Sequence, residues 1–171
     1  MNFDQAFDRV IGSEGGFQRD SRDRGNWTGG KVGVGELKGT KFGISAAAFP
    51  QVDIANLTVA TAKPLAKQYY WDRIAGDQLP PAVAFQVFDA AYNSGIENGV
   101  RFLQRAVGVA DDGHVGPVTL GAVKAMPATD VLMRVNAERL DFLRKLSTWP
   151  TYGAGWAGRI AANLRYGAID A

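Results

Sequence analysis

Pro80-Pro81-Ala82-Val83-Ala84-Phe85-Gln86-Val87-Phe88-Asp89-Ala90-Ala91-Tyr92-Asn93 is apolar on nearly every face. A helix with that composition belongs inside a helical domain rather than on its surface. The prolines suit the first turn and Ser94-Gly95 supplies a stop. Downstream, apolar periodicity and breaker residues predict helices at about Glu97 to Val107, Pro117 to Ala125, Thr129 to Leu146 and Ala154 to Arg165. In the third of these Val131, Leu132, Val135, Leu140, Phe142, Leu143 and Leu146 form a broad apolar face. Upstream, Thr58 or Thr61 starts a helix carrying Leu65, Gln68, Tyr69 and Trp71, provided that Pro64 falls in its first turn. Phe3, Ala6, Phe7, Val10 and Ile11 mark an opening helix, with Asn2 as cap and Gly12 as brake. Between Gln18 and Gly39 the periodicity vanishes into charged and glycine-rich sequence, which predicts loops and a short hairpin around Lys31 to Glu36. With no internal repeat, the expected fold is mainly α with a small β-hairpin or loop element.

The length of 171 residues suits one compact domain, or a catalytic lobe with a small subdomain, and an apolar fraction of 46% is enough for a core. The absence of cysteine rules out disulfides and thiolate metal sites, and a single histidine rules out a multi-histidine centre within one chain. No metal and no cofactor are expected. A formal charge of +2 and a pI near 9.0 are compatible with an anionic partner without choosing one. Met1 to Arg9 carries Asp4 and Asp8 where a signal peptide has basic and then apolar residues, so a chain made in the cytoplasm is expected.

Two glycine-rich stretches invite a nucleotide reading and fail it. Gly25-Asn26-Trp27-Thr28-Gly29-Gly30-Lys31 is followed by Val32, where a phosphate-binding loop needs Ser or Thr for magnesium. Gly33-Val34-Gly35 has Lys38 where a dinucleotide fingerprint needs its third glycine. Glu14 is more informative. It follows the opening amphipathic helix and stands beside Gly15-Gly16, so its carboxyl can be desolvated on one side and open to a ligand on the other. Such a group can hold its proton near neutrality and give it to a leaving oxygen. An exposed carboxylate at a helix end fits the same pattern.

Glu14-Gly15-Gly16-Phe17, Asp23-x-Gly25 and Gly39-Thr40-x-Phe42-Gly43-Ile44 together resemble glycoside hydrolase family 108, N-acetylmuramidases found among phage endolysins. Tyr70-Trp71-Asp72, Phe88-Asp89-x-x-x-Asn93-Ser94-Gly95, Leu103-Gln104-x-Ala106-Val107-Gly108-Val109 and Asp112-Gly113-x-x-Gly116-Pro117-x-Thr119 extend the resemblance over almost the whole chain. Members commonly run from the Asp-x-Gly element almost directly into the Thr, whereas here Asn26 to Lys38 intervene. The resemblance implies a lysozyme-like helical domain, with 1–95 as catalytic region and 96–171 as a helical peptidoglycan-binding-like region in the same globule. It implies cleavage of the β-1,4 bond between N-acetylmuramic acid and N-acetylglucosamine. It also implies a host-cytoplasmic endolysin released to the wall through a membrane pore made by another protein. The expected partner is bacterial peptidoglycan, met by a monomer, with no nucleic acid.

Glycosidic cleavage needs an acid for the leaving oxygen and a second group at the oxocarbenium-like centre. Glu14 is the acid. By similarity to the Glu, Asp and Thr of phage-type lysozymes, Asp23 and Thr40 hold the attacking water. Asp23 reads equally as one charge of a solvated loop, with Asp20 as its substitute, and Thr40 reads also as a turn residue. Asn93 can bond an acetamido group or cap its helix. Trp27, Tyr70 and Tyr92 are the candidate sugar-stacking aromatics, against a core role. Asp112 to Thr119 reads also as an ordinary turn into a helix begun by Pro117, with His114 exposed. Arg139, Arg144, Lys145, Arg159 and Arg165 either rest weakly on an anionic membrane or belong to packed closing helices. A lytic transglycosylase needs Glu14 without positioned water, and a non-catalytic wall-binding module needs neither.

Overall fold

The computed structural model describes residues 1–12 and 16–170. The chain is mainly helical, with seven α-helices and a two-stranded antiparallel sheet among the described residues, in a lysozyme-like arrangement. It forms two compact units, one of Asp4–Tyr69 and the other of Met1–Phe3 with Tyr70–Ala171.

In the first unit, helix α1 (Phe3–Ile11) contributes the buried Ala6, Phe7 and Val10. Lys63 of helix α2 (Val59–Ala66) pairs with Asp4 at 3.1 Å and Asp8 at 3.3 Å, and its ammonium lies 5.8 Å from the centre of the Phe7 ring. Thr58 caps α2 reciprocally with Thr61, which settles the start between the two expected positions. Pro64 then falls inside the helix instead of in its first turn. It has no N–H for the carbonyl four residues back, and the chain continues from Lys67 to Trp71 in π geometry.

Regular strands do not occur at Lys31 to Glu36. Strands β1 (Thr40–Lys41) and β2 (Ile44–Ser45) pair as Thr40 with Ser45 and Lys41 with Ile44. The connecting Phe42 and Gly43 both have positive φ, 49° and 67°. That is the primed turn whose twist matches a two-residue hairpin. The earlier stretch is a loop pinned at its base by a bridge between Trp27 and Leu37, and folded back by Thr28 N–H to Glu36 O and Gly29 N–H to Val34 O.

Gly39, at φ 88°, precedes β1; a Cβ there would sit 2.5 Å from the Gln18 carbonyl oxygen and 2.8 Å from the Phe17 ring. Gly39→Val is expected to lower stability by about 3 kcal/mol, from an unfavourable backbone region combined with steric conflict. Chemical denaturation with an unchanged slope and a lower midpoint would register it; an unaltered midpoint would contradict the close approach.

In the second unit, helix α3 (Pro81–Ser94) is central, as its composition demands: every residue from Ala82 to Ala91 is buried. It packs on α4 (Ile96–Ala106), α6 (Ala128–Leu143) and α7 (Trp149–Asp170), while α5 (Pro117–Lys124) rests on α6. Phe3, Trp71 and Phe88 stack edge to face with ring centres 5.5–5.9 Å apart. Helix α7 outruns the expected Ala154 to Arg165 at both ends. Its glycines weaken intrinsic helicity, but Ile160, Asn163 and Gly167 are buried, and that packing overrides propensity.

Candidate active site

Glu14, the acid expected from the sequence, lies outside the described residues. The described site begins with Gln18, which bridges to Thr40 through reciprocal backbone hydrogen bonds of 2.9 and 2.8 Å. Between them sits Asn26, fully buried. Its Nδ2 donates to Gln18 Oε1 at 2.8 Å and to the Asp20 carbonyl at 2.9 Å. Thr40 Oγ1 donates to Asn26 Oδ1 at 2.7 Å. Gln18 Nε2 in turn donates to Asp23 Oδ2 at 3.2 Å, while Asp23 Oδ1 accepts from Gly25 N–H at 2.8 Å. Asp23 and Thr40 are thus brought into one hydrogen-bonded chain, Asp23–Gln18–Asn26–Thr40.

The intervening segment leaves this connection intact. The backbone N–H groups of Lys38 and Gly39 both donate to the Asn26 carbonyl, at 3.0 and 3.1 Å. The segment therefore leaves and returns at the same place, delivering Thr40 beside Asn26. The Thr40 hydroxyl proton is committed to Asn26, so toward any further partner its oxygen can only accept. Asp23 is exposed and also keeps acceptor capacity on both oxygens.

Asp20 is differently engaged. Arg22 holds its carboxylate through Nε at 3.0 Å and Nη2 at 2.8 Å, and these bonds lower its pKa to about 2. A carboxylate clamped in this way is a poor proton acceptor. Trp27 is half-buried, with its indole N–H on the Ser21 carbonyl at 2.9 Å. A cavity of about 310 Å³ also lies in this unit, bounded by Phe17, Arg19, Leu37, Lys38, Asp53 and Ile54.

In the other unit, Asn93 stands in the last turn of α3 and does not cap it; the helix closes at Gly95 with φ 89°, and Asn98 Nδ2 satisfies the Ser94 carbonyl at 2.8 Å. Asn93 Oδ1 instead accepts from Arg139 Nη2 at 3.2 Å. Arg139 is held by Asp89, Nη1 to Oδ2 at 2.6 Å, and Arg159 and Asn163 close on the same carboxylate at 2.7 and 2.6 Å. Burial pushes the Asp89 carboxyl up, but the charges and hydrogen bonds of Arg139 and Arg159 outweigh it and hold the pKa below the ordinary range. Two of the cations in the basic C-terminal stretch are therefore spent inside the helical core.

Tyr70 is buried, 4.9 Å from the ring centre of the half-buried Tyr92 and 6.4 Å from that of Phe88. Asp112 to Thr119 is a turn organised by the buried Gln104, whose Nε2 reaches Asp112 Oδ1 at 2.7 Å, His114 O at 3.0 Å and Thr119 Oγ1 at 3.3 Å. His114 is exposed there.

The sequence does not single out Asn26 and Gln18, and it marks Arg139 only as one basic residue of a membrane-contacting or packed closing helix. Asn26 and Gln18 sit in aperiodic sequence, where nothing marks an amide as buried, and Arg139 lies in a helix rich in charges.

The model of the family Glycosyl hydrolase 108 matches residues 7–95, a range that includes Glu14, Asp23, Trp27, Thr40, Tyr70, Tyr92 and Asn93. Among solved structures, that of Brucella abortus SagA superposes with a TM-score of 0.83 at 31% identity, covering 98% of this chain and 94% of that one. No curated protein matches the sequence.

Proposed function

Since this chain belongs to the glycosyl hydrolase 108 family and is a glycosidase, we propose that its substrate is bacterial peptidoglycan and that it cuts the β-1,4 bond between N-acetylmuramic acid and N-acetylglucosamine. Glu14 gives its proton to the glycosidic oxygen as the bond from that oxygen to the anomeric carbon breaks. Water attacks the anomeric carbon, and its proton passes to Asp23. One observation supports this reading: the chain Asp23–Gln18–Asn26–Thr40 links the carboxylate and the hydroxyl and leaves both oxygens able to accept further hydrogen bonds. A water molecule that donates one hydrogen to each presents its remaining lone pair to the sugar. Asn93 bonds an acetamido group, and Trp27 and Tyr92, the latter backed by Tyr70, offer faces to sugar rings.

Residues 1–95 supply the catalytic groups in this reading, and 96–171 act as a wall-binding-like region. The protein works as a monomeric endolysin, released from the host cytoplasm to the wall through a pore made by another protein.

Digestion of purified peptidoglycan followed by mass spectrometry tests the chemistry. Soluble muropeptides ending in a reducing N-acetylmuramic acid are expected. Anhydro ends, lighter by one water, would make the protein a transglycosylase and remove the water-holding role of Asp23 and Thr40. Pelleting with the wall and releasing no fragment would make it a binding module.

A further inference from the structure

We infer that Arg139 is a positioning residue that locks Asn93 as a hydrogen-bond donor, so that Asn93 selects the carbonyl oxygen of an acetamido group rather than its N–H. The inference rests on the reading of the protein as a peptidoglycan hydrolase and specifies how that site would recognise N-acetylation.

A free asparagine can turn its amide over and offer a partner either oxygen or nitrogen. Asn93 has lost that choice. Arg139, on α6 with 1% of its side chain exposed, is a pure donor, so only the amide oxygen can face its Nη2 at 3.2 Å. Nδ2 must then point away from it, and it has no hydrogen-bond partner among the described residues. Arg139 cannot readily swing aside. Its Nη1 is bound to Asp89, and that carboxylate is fixed from α7 by Arg159 and Asn163.

The guanidinium charge on the amide oxygen also draws electron density from the nitrogen, strengthening the N–H donors. A ligand group meeting Asn93 has to be an acceptor. The acetamido carbonyl of an N-acetylated amino sugar is one; the ammonium of a de-N-acetylated sugar is not. The helix ending at Ser94, the ion cluster behind it and the orientation of one amide thus combine into a device that reads the acyl group.

The test uses the full chain on two preparations of the same wall, native and chemically de-N-acetylated, with kcat and KM measured for the wild type, Asn93→Asp and Arg139→Lys. Asn93→Asp keeps an oxygen for Arg139 and puts an oxygen where the donor was. The wild type is expected to lose about tenfold or more on the de-N-acetylated wall, mainly in KM. Asn93→Asp should show a comparable loss on the native wall and little further loss on de-N-acetylation. Arg139→Lys, which keeps the charge but not the fork, should narrow the preference for the native wall while its circular dichroism stays native. If Arg139→Lys does not fold, Asn93→Asp alone decides. An Asn93→Asp enzyme with wild-type KM and undiminished preference overturns the inference, as does a folded Arg139→Lys enzyme with full preference. A wild type that degrades both walls equally sinks this inference alone, whereas one that degrades neither sinks the parent reading with it.

Discussion

Glu14→Gln is expected to reduce the release of soluble fragments from purified cell walls by at least about 10²–10⁴-fold, with no loss of fold. Gln is close to Glu in shape and can still donate a hydrogen bond, so binding is retained. It has no proton to transfer, and an alkoxide leaving group at neutral pH departs slowly without one. Helix α1, which precedes Glu14 in the chain, is held independently of it by the buried Ala6, Phe7 and Val10 and by the Lys63 pairs to Asp4 and Asp8. Turbidity loss of wall suspensions, with thermal melting as the control, measures both halves. Wild-type rates in a folded Glu14→Gln protein would remove Glu14 as the acid.

The largest loss of stability is expected from Asp89→Ala. The Asp89 carboxylate has 4% of its side chain exposed, and it neutralises Arg139 and Arg159, whose side chains are 1% and 12% exposed. Such a buried cluster need not stabilise the protein relative to an apolar replacement of the same shape, but removing Asp89 takes away a carboxylate to which both buried guanidiniums are bound. That costs about 3–5 kcal/mol, against a total stability of about 5–15 kcal/mol. Asp89→Ala should therefore melt many degrees below the wild type or fail to accumulate.

The pH dependence follows from the depressed pKa. The folded protein binds the Asp89 proton less readily than the unfolded chain, whose value is about 3.9. The stabilisation is full above that value and drains away as pH falls through the lower folded value. Melting curves from pH 7 down to pH 2 should show the wild type losing this component in acid, and Asp89→Asn should lack it. Equal acid sensitivity in the two proteins would show that other groups govern acid unfolding.

Which helices form was largely legible from the chain, because an apolar stripe or an all-round apolar helix has few stable placements. Pro80 to Asn93 is the clearest instance. Boundaries were less so. Pro64 inside α2 and the glycines of α7 both defy local propensity, and in α7 the burial of Ile160, Asn163 and Gly167 outweighs it. The hairpin was displaced for a related reason. Glycines at Gly30, Gly33 and Gly35 mark where the chain turns, but pairing depends on which backbone lies opposite, and Gln18 lies opposite Thr40.

The chemistry divides in the same way. The sequence by itself determined the helical class and the absence of cysteine-based metal and disulfide chemistry, and it supplied the candidate residues of the site, because these depend on composition and on spacing along the chain. Only the tertiary structure decided that Asn26 joins Thr40 to Gln18, that Arg22 occupies Asp20 and leaves Asp23 available, and that Arg139 orients Asn93. Hydrogen bonds and ion pairs are directional and act over a few ångströms. Apart from the near neighbours Arg22 and Asp20, the partners here come from separated positions in sequence, as with Arg139 and Asn93, and are brought within reach only when the chain has folded.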